Sequence, residues 1–178
     1  MAYDGTQQFQ AGQSGLIARI PEAEPAVRAW REQLDPSAHA GVSAHVTVLY
    51  PFLDASRIDE SVCSALRETL TAHQSFEVRF DRCGRFPGVL YLTPEPDTPF
   101  RHLTQAIVTR WPETPPFGGQ FEDPIPHLTI TQGQDAADMD KAEADLLRRL
   151  PITAHISTVD LFIHDGTRWR QHSTFPLS

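Results

Sequence analysis

His45-Val46-Thr47-Val48-Leu49-Tyr50-Pro51-Phe52 and, 82 residues after the first histidine, His127-Leu128-Thr129-Ile130 are two copies of one short pattern. In each copy apolar residues alternate with His and Thr, which predicts a strand. Successive side chains of a strand point to opposite faces. The imidazole and the hydroxyl two residues on therefore project together, while Val46 and Val48, or Leu128 and Ile130, turn into a core. An imidazole moves protons near neutral pH, and a hydroxyl donates to a phosphate oxygen. Two such strands facing each other would put a base on one side of a cleft and an acid on the other. That is the minimum equipment for hydrolysing a phosphodiester without a metal.

A single H-x-T carries little weight, because half-exposed strands often present His and Thr. Two look-alikes stand in this chain. His102-Leu103-Thr104 falls among Phe100, Ile107 and Trp111, the spacing of an amphipathic helix, on which residues two apart diverge. His155-Ile156-Ser157 opens a run ending Leu161-Phe162-Ile163 that reads as sheet interior. What lifts the other two copies is a repeat. After His45 come Pro51, a loop, and a helix over about 56–73 with Ser56 and Asp59 as a capping box and Ile58, Val62, Leu66 and Leu70 on one stripe. Strands at 76–80 and 89–92 follow. After His127, Gly133 breaks the strand, Asp135 caps a helix bearing Met139, Ala142, Leu146 and Leu150, and Pro151 stops it, before strands at 156–163 and 169–175. The expected fold class is α+β and bilobal, two pseudo-symmetric strand–helix–strand–strand lobes with antiparallel sheets flanking a central cleft.

These residues resemble the two-histidine phosphoesterase superfamily, the group of RNA 2′-5′ ligase-like proteins and cyclic nucleotide phosphodiesterases. Its signature is a pair of H-x-[ST]-apolar motifs, intact here at 45–48 and 127–130, the first with the usual trailing segment through Phe52. Resemblance in element order covers roughly residues 15–175. It implies a cleft between two lobes, His45 and His127 as the catalytic pair, and Thr47 and Thr129 as the residues that hold the phosphate.

The rest of the sequence bounds that reading. At 178 residues the chain has enough length to bury a substantial core. The polar residues 1–14 are expected to be a flexible N-terminus, and 15–178 one two-lobed domain. No apolar run approaches a membrane span and no basic-then-apolar leader opens the chain, so a cytoplasmic monomer is expected. Cys63 and Cys83 read as small buried residues rather than a disulfide or a metal pair. The net charge of −8, with a single lysine at Lys141, disfavours a grip on long nucleic acid, which relies on phosphate neutralisation. Arg79, Arg82 and Arg85 form the one local basic cluster. The expected partner is a small nucleotide cyclic phosphate or an RNA end.

Tyr50 and Phe52, just past the first motif, are candidate base-stacking residues, as are Phe86, Phe117 and Trp169. Phe117 stands out because Pro115-Pro116-Phe117-Gly118-Gly119 reads as an exposed loop, a mobile lip to the cleft. Glu122 and Asp123 lie close enough in sequence to orient His127, and His39 and His164 are expected at exposed loops or strand ends. Hydrolysis of a 2′,3′-cyclic phosphate needs a base for water and an acid for the departing ribose oxygen, on opposite sides of phosphorus, with Thr47 and Thr129 on the non-bridging oxygens. Run backwards, the same groups would ligate. Rate should then follow a bell in the weakly acidic to neutral range. No cofactor and no metal ligand set is expected, since neither histidine sits in an H-x-H or H-x-x-x-H spacing. The rival readings are a non-catalytic nucleotide- or RNA-binding module of the same fold, and, third, a metal-dependent hydrolase using both histidines with Asp123.

Overall fold

The computed structural model describes residues 9–178. In chain order its elements are β1 (Ser14–Arg19), α1 (Glu24–Leu34), the single turn α2 (Pro36–His39), β2 (His45–Leu49), α3 (Glu60–Thr71), β3 (Phe76–Phe86), β4 (Val89–Glu95), α4 (Thr98–Arg110), β5 (Leu128–Gln132), α5 (Ala136–Leu147), β6 (Ile152–Ile156), β7 (Thr158–His164) and β8 (Trp169–Pro176). The eight strands form two antiparallel four-stranded sheets, ordered β2-β1-β7-β8 and β5-β4-β3-β6. Each motif strand is therefore the edge of its own sheet.

Alternation makes both motif strands amphipathic: Val46 and Val48 on β2, and Leu128 and Ile130 on β5, are buried, while His45, Thr47, His127 and Thr129 are half-buried on the other face. The buried faces of both sheets join one continuous core, with Leu16, Ala18, Leu161 and Phe175 from the first and Phe80, Leu90 and Leu92 from the second. The helices that cover it are exchanged. α1 joins β1 to β2 of the first sheet yet packs on β5 of the second, and α4 joins β4 to β5 of the second sheet yet packs on β2 of the first. Strand–helix–motif strand is thus a unit that recurs, β1-α1-β2 and β4-α4-β5, and each sheet draws strands from both halves of the chain.

Several local expectations are corrected. The helix after the first motif begins at Glu60, because Asp59 accepts from the Val62 amide and is its N-cap, whereas Ser56 lies in a separate turn capped by Asp54. Asp135 does cap α5, accepting from the Asp138 amide. The run 156–163 is two strands of different sheets, and His155 is an exposed residue of the edge strand β6. Of the expected loose segment 1–14, residues 1–8 lie outside the described residues. Residues 9–14 are fastened, with Gly12 N–H donating to the His164 carbonyl at 2.9 Å and the Phe9 ring 5.3 Å from Trp169. His164 is itself buried against Phe9 and Trp169 instead of facing solvent. Among the described residues no helix is long and apolar enough to cross a membrane.

Candidate active site

β2 and β5, the facing edges of the two sheets, approach to within 8 Å between Cα atoms. His45 and His127 stand at equivalent places, at the start of β2 and one residue before β5. Each ring is held the same way. Nδ1 of His45 bonds the carbonyl of Ser43 at 2.7 Å, and Nδ1 of His127 bonds the carbonyl of Ile125 at 2.6 Å. A carbonyl only accepts, so Nδ1 carries the proton in both neutral rings. Nε2 is left bare, a lone pair when the ring is neutral and a donor when it is charged. It has no partner among the described residues, and neither do the hydroxyls of Thr47 and Thr129. Two imidazole nitrogens and two hydroxyls are thus unspent on adjoining edges, the set needed to grip and protonate one phosphate.

The two histidines differ in what surrounds them. Burial and the Arg31 guanidinium hold His45 down to about 4, and the nearby His127 adds to this, against the Ser43 carbonyl and Asp35. Burial also lowers His127, but without a cation to reinforce it. Its cover is aromatic, with Phe86 at 5.2 Å edge-on and Tyr91 at 5.3 Å between ring centroids. Both imidazoles are therefore held toward the neutral form at pH 7, and a cation opposes protonation at His45 but not at His127.

Tyr91 depends on a glycine. It pairs across the sheet with Gly84, and a Cβ there would lie 2.5 Å from the Tyr91 ring. Gly84→Ala is accordingly expected to cost about 1–3 kcal/mol of stability through overpacking. It should also displace Tyr91 from His127, lowering activity beyond what the unfolded fraction accounts for; thermal unfolding and turnover measured together check this.

Other candidates fare differently. Phe52 is withdrawn as a stacking residue, since it is a core side chain set edge-on to Trp111 at 5.3 Å. Tyr50 is half-buried with its ring 6.0 Å from Trp169, so it forms a wall of the first sheet's open face, and Trp169 is buried behind it. Phe117 lies next to the end of the first motif: its N–H donates to the Tyr50 carbonyl at 2.6 Å, and its ring meets Phe121 at 5.7 Å. Its backbone is left-handed at φ 51°, a strained conformation for a bulky residue. Asp123 does not orient His127; it accepts from Arg101 at 2.6 Å, and the Ile125 carbonyl does that work. Glu122 is exposed on the same loop. The basic cluster is neutralised residue by residue, Arg79 by Asp81, Arg82 by Glu95, and Arg85 by Asp140 and Glu143. Cys63 and Cys83 are free thiols, and among the described residues no three metal-ligating side chains gather.

Three residues that sequence reading missed line the site. Arg19 pairs in register with His45, its Nε on the fully buried Asp160 at 2.7 Å. Tyr91 covers His127 as described. Arg31, 2% exposed and ion-paired to Asp35, reaches the backbone of the second motif strand. A signal for Arg31 existed in its i+4 spacing from the apolar Val27 and from Asp35.

The fold has solved counterparts. LigT of E. coli in complex with 3′-AMP superposes with a TM-score of 0.61 at 15% identity, covering 95% of this chain and 99% of that one. A protein described as a phosphoesterase follows at 0.58 and 16%, covering 95% and 99%. TT0787 of Thermus thermophilus gives 0.56 and 15%, covering 92% and 97%. At such identities the likeness is one of fold. No curated protein matches the chain by sequence. The family model of the 2′-5′ RNA ligase superfamily matches residues 20–168, a stretch that takes in both motif strands and the helices exchanged between the sheets, and the chain belongs to that superfamily.

Proposed function

We propose that the chain is a metal-independent phosphodiesterase acting on a 2′,3′-cyclic phosphate, a 2′-5′ linkage or a related small nucleotide or RNA-end phosphodiester. One observation carries the reading: two histidines on adjoining strand edges, each with Nδ1 tied to the carbonyl two residues earlier and Nε2 free. Membership of the superfamily supports a phosphodiesterase- or ligase-type role. Structures of E. coli LigT with 3′-AMP, ATP and NADP+ support a nucleotide as the ligand class.

In this mechanism His45 is the general base and His127 the general acid, because the Arg31 guanidinium opposes positive charge on His45 and no cation does so at His127. Water attacks phosphorus as its proton passes to Nε2 of His45. The bond to one ribose oxygen breaks, and that oxygen takes the proton from Nε2 of His127. Thr47 and Thr129 donate to the non-bridging oxygens, where charge builds. The product is a phosphomonoester, and the histidines exchange protons with solvent to reset. Phe117 and Phe121 offer the nucleobase a platform at the lip, and Arg19, its charge balanced by Asp160, keeps its Nη groups as donors beside His45.

The test is turnover of 2′,3′-cyclic mononucleotides, 2′-5′-linked oligoadenylates and RNA bearing a cyclic phosphate end, in exhaustive chelator. Cleavage that survives chelation is expected. Binding without turnover would make the chain a nucleotide-binding module, and activity restored by a divalent ion would remove the two-histidine mechanism. Catalysis needs His45 neutral and His127 charged. For the free enzyme, kcat/KM should rise through about 4 as His45 loses its proton, and fall below the ordinary histidine value as His127 does. The bell therefore sits further to the acid side than unperturbed imidazoles would give. An anionic substrate favours both charged rings, so the kcat bell should lie at higher pH than the kcat/KM bell. Both limbs report macroscopic values of the pair.

A further inference from the structure

No β-ladder joins β2 to β5, since they are edges of different sheets. Their mutual position has to be set by other bonds, and two of these come from the exchanged helices. Thr104 on α4 donates to the carbonyl of Val48 on β2 at 2.6 Å. Arg31 on α1 does more. Its Nη1 donates to the Val42 carbonyl at 3.1 Å, three residues before His45, and its Nε to the Thr129 carbonyl at 3.2 Å, two residues after His127. Asp35 takes Nε at 3.1 Å and Nη2 at 2.8 Å, and Ser37 Oγ takes Nη2 at 3.1 Å. The guanidinium is thus bonded on all three nitrogens and almost wholly removed from water.

We propose that Arg31 is a positioning residue of this active site, its planar guanidinium setting the spacing between the two motif strands. The proposal rests on the two-histidine reading above. A buried ion pair is a poor way to stabilise a fold, and an apolar side chain would simply extend the stripe that Val27 begins. What an apolar residue cannot do is bridge carbonyls on the approaches to both histidines. The donors of a guanidinium are fixed in one plane, so they define where the two carbonyls stand. Asp35 and Ser37 hold that plane from behind. Reacting groups displaced by about 1 Å can lose on the order of a hundredfold in rate, so a spacer that holds both strands acts on kcat more than on binding.

Arg31 also bears on the charge of His45. The charged and titratable groups around that ring are Arg31 and Asp35 from α1 and the turn after it, His127 just before β5, and Arg19, its register partner on β1, while Glu24 of α1 accepts from the adjacent Ala44 amide at 2.6 Å. Arg31 outweighs Asp35 among them.

Three variants test the proposal: Arg31→Lys, which keeps the charge but loses the planar fork; Arg31→Met with Asp35→Asn, which removes both charges; and Asp35→Glu, which keeps both and shifts the fork by one methylene. In each folded variant kcat on the best substrate should fall at least about thirtyfold while KM changes less than about threefold. A folded variant with kcat within threefold of the parent overturns the proposal. A second readout needs no turnover: NMR titration of the His45 ring should move to higher pH in the Arg31→Met, Asp35→Asn variant, and an unmoved titration counts against Arg31 acting at this site. Absence of turnover in the parent protein would instead sink the two-histidine reading, leaving the His45 titration to judge Arg31 by itself.

Discussion

His45→Ala and His127→Ala are each expected to lower turnover by about a hundred- to ten-thousandfold, the usual worth of a positioned proton-transfer group. Neither ring is a core side chain: both are half-buried, and each makes one hydrogen bond, to the carbonyl two residues earlier. Loss of one such bond is worth about 1 kcal/mol, so the variants should stay folded. The double variant should be little worse than either single one, because base and acid act in the same step. His102→Ala and His155→Ala are the controls. Both residues are exposed, on α4 and β6, and neither hydrogen-bonds to a motif strand among the described residues, so turnover should be unchanged within about twofold. A folded His45→Ala or His127→Ala protein that kept more than a tenth of parental turnover would end the acid–base reading.

Thr47→Ala and Thr129→Ala should each cost about 2–4 kcal/mol of transition-state stabilisation, measured as the fall in kcat/KM. Both hydroxyls are unspent on the described residues while standing on the open faces of the motif strands, in register with Ile17 and Tyr91. A buried-side threonine behaves otherwise: Thr131, two residues on, accepts the Leu90 amide at 3.3 Å. Thr→Ser at either motif position keeps the donor and should restore most of the loss. If alanine at 47 and 129 left kcat/KM within threefold of the parent, the phosphate would have to be held by other donors, with Arg19 the first to examine.

Much of the catalytic face could be read locally. Alternation in β2 and β5 assigns His45 with Thr47 and His127 with Thr129 to one side of each strand, because a strand has a period of two whatever surrounds it. Asp59 and Asp135 could be read as helix caps for the same reason, since a cap is a bond between residues three apart. The aromatic residues could not. Phe52 lies in the same short run as Tyr50, yet one is core and the other a cleft wall. Both are aromatic residues past a strand end, and only the packing of Trp111 and Trp169 separates them.

The local chemistry is legible in the residues alone: two edge-compatible strands, each with an imidazole and a hydroxyl on one face, embedded in a duplicated order of strands and helices. The tertiary structure decided which strands share a sheet, that α1 and α4 cross to the opposite sheets, and that Arg31 therefore meets the backbone beside Thr129. It also placed the Arg31 guanidinium beside His45 and an aromatic cover beside His127. The reason is physical. Side-chain direction along a strand depends on neighbouring residues, whereas the partner of an edge, the far end of a long side chain and the field at a buried imidazole depend on groups brought together only when both halves of the chain close on one core.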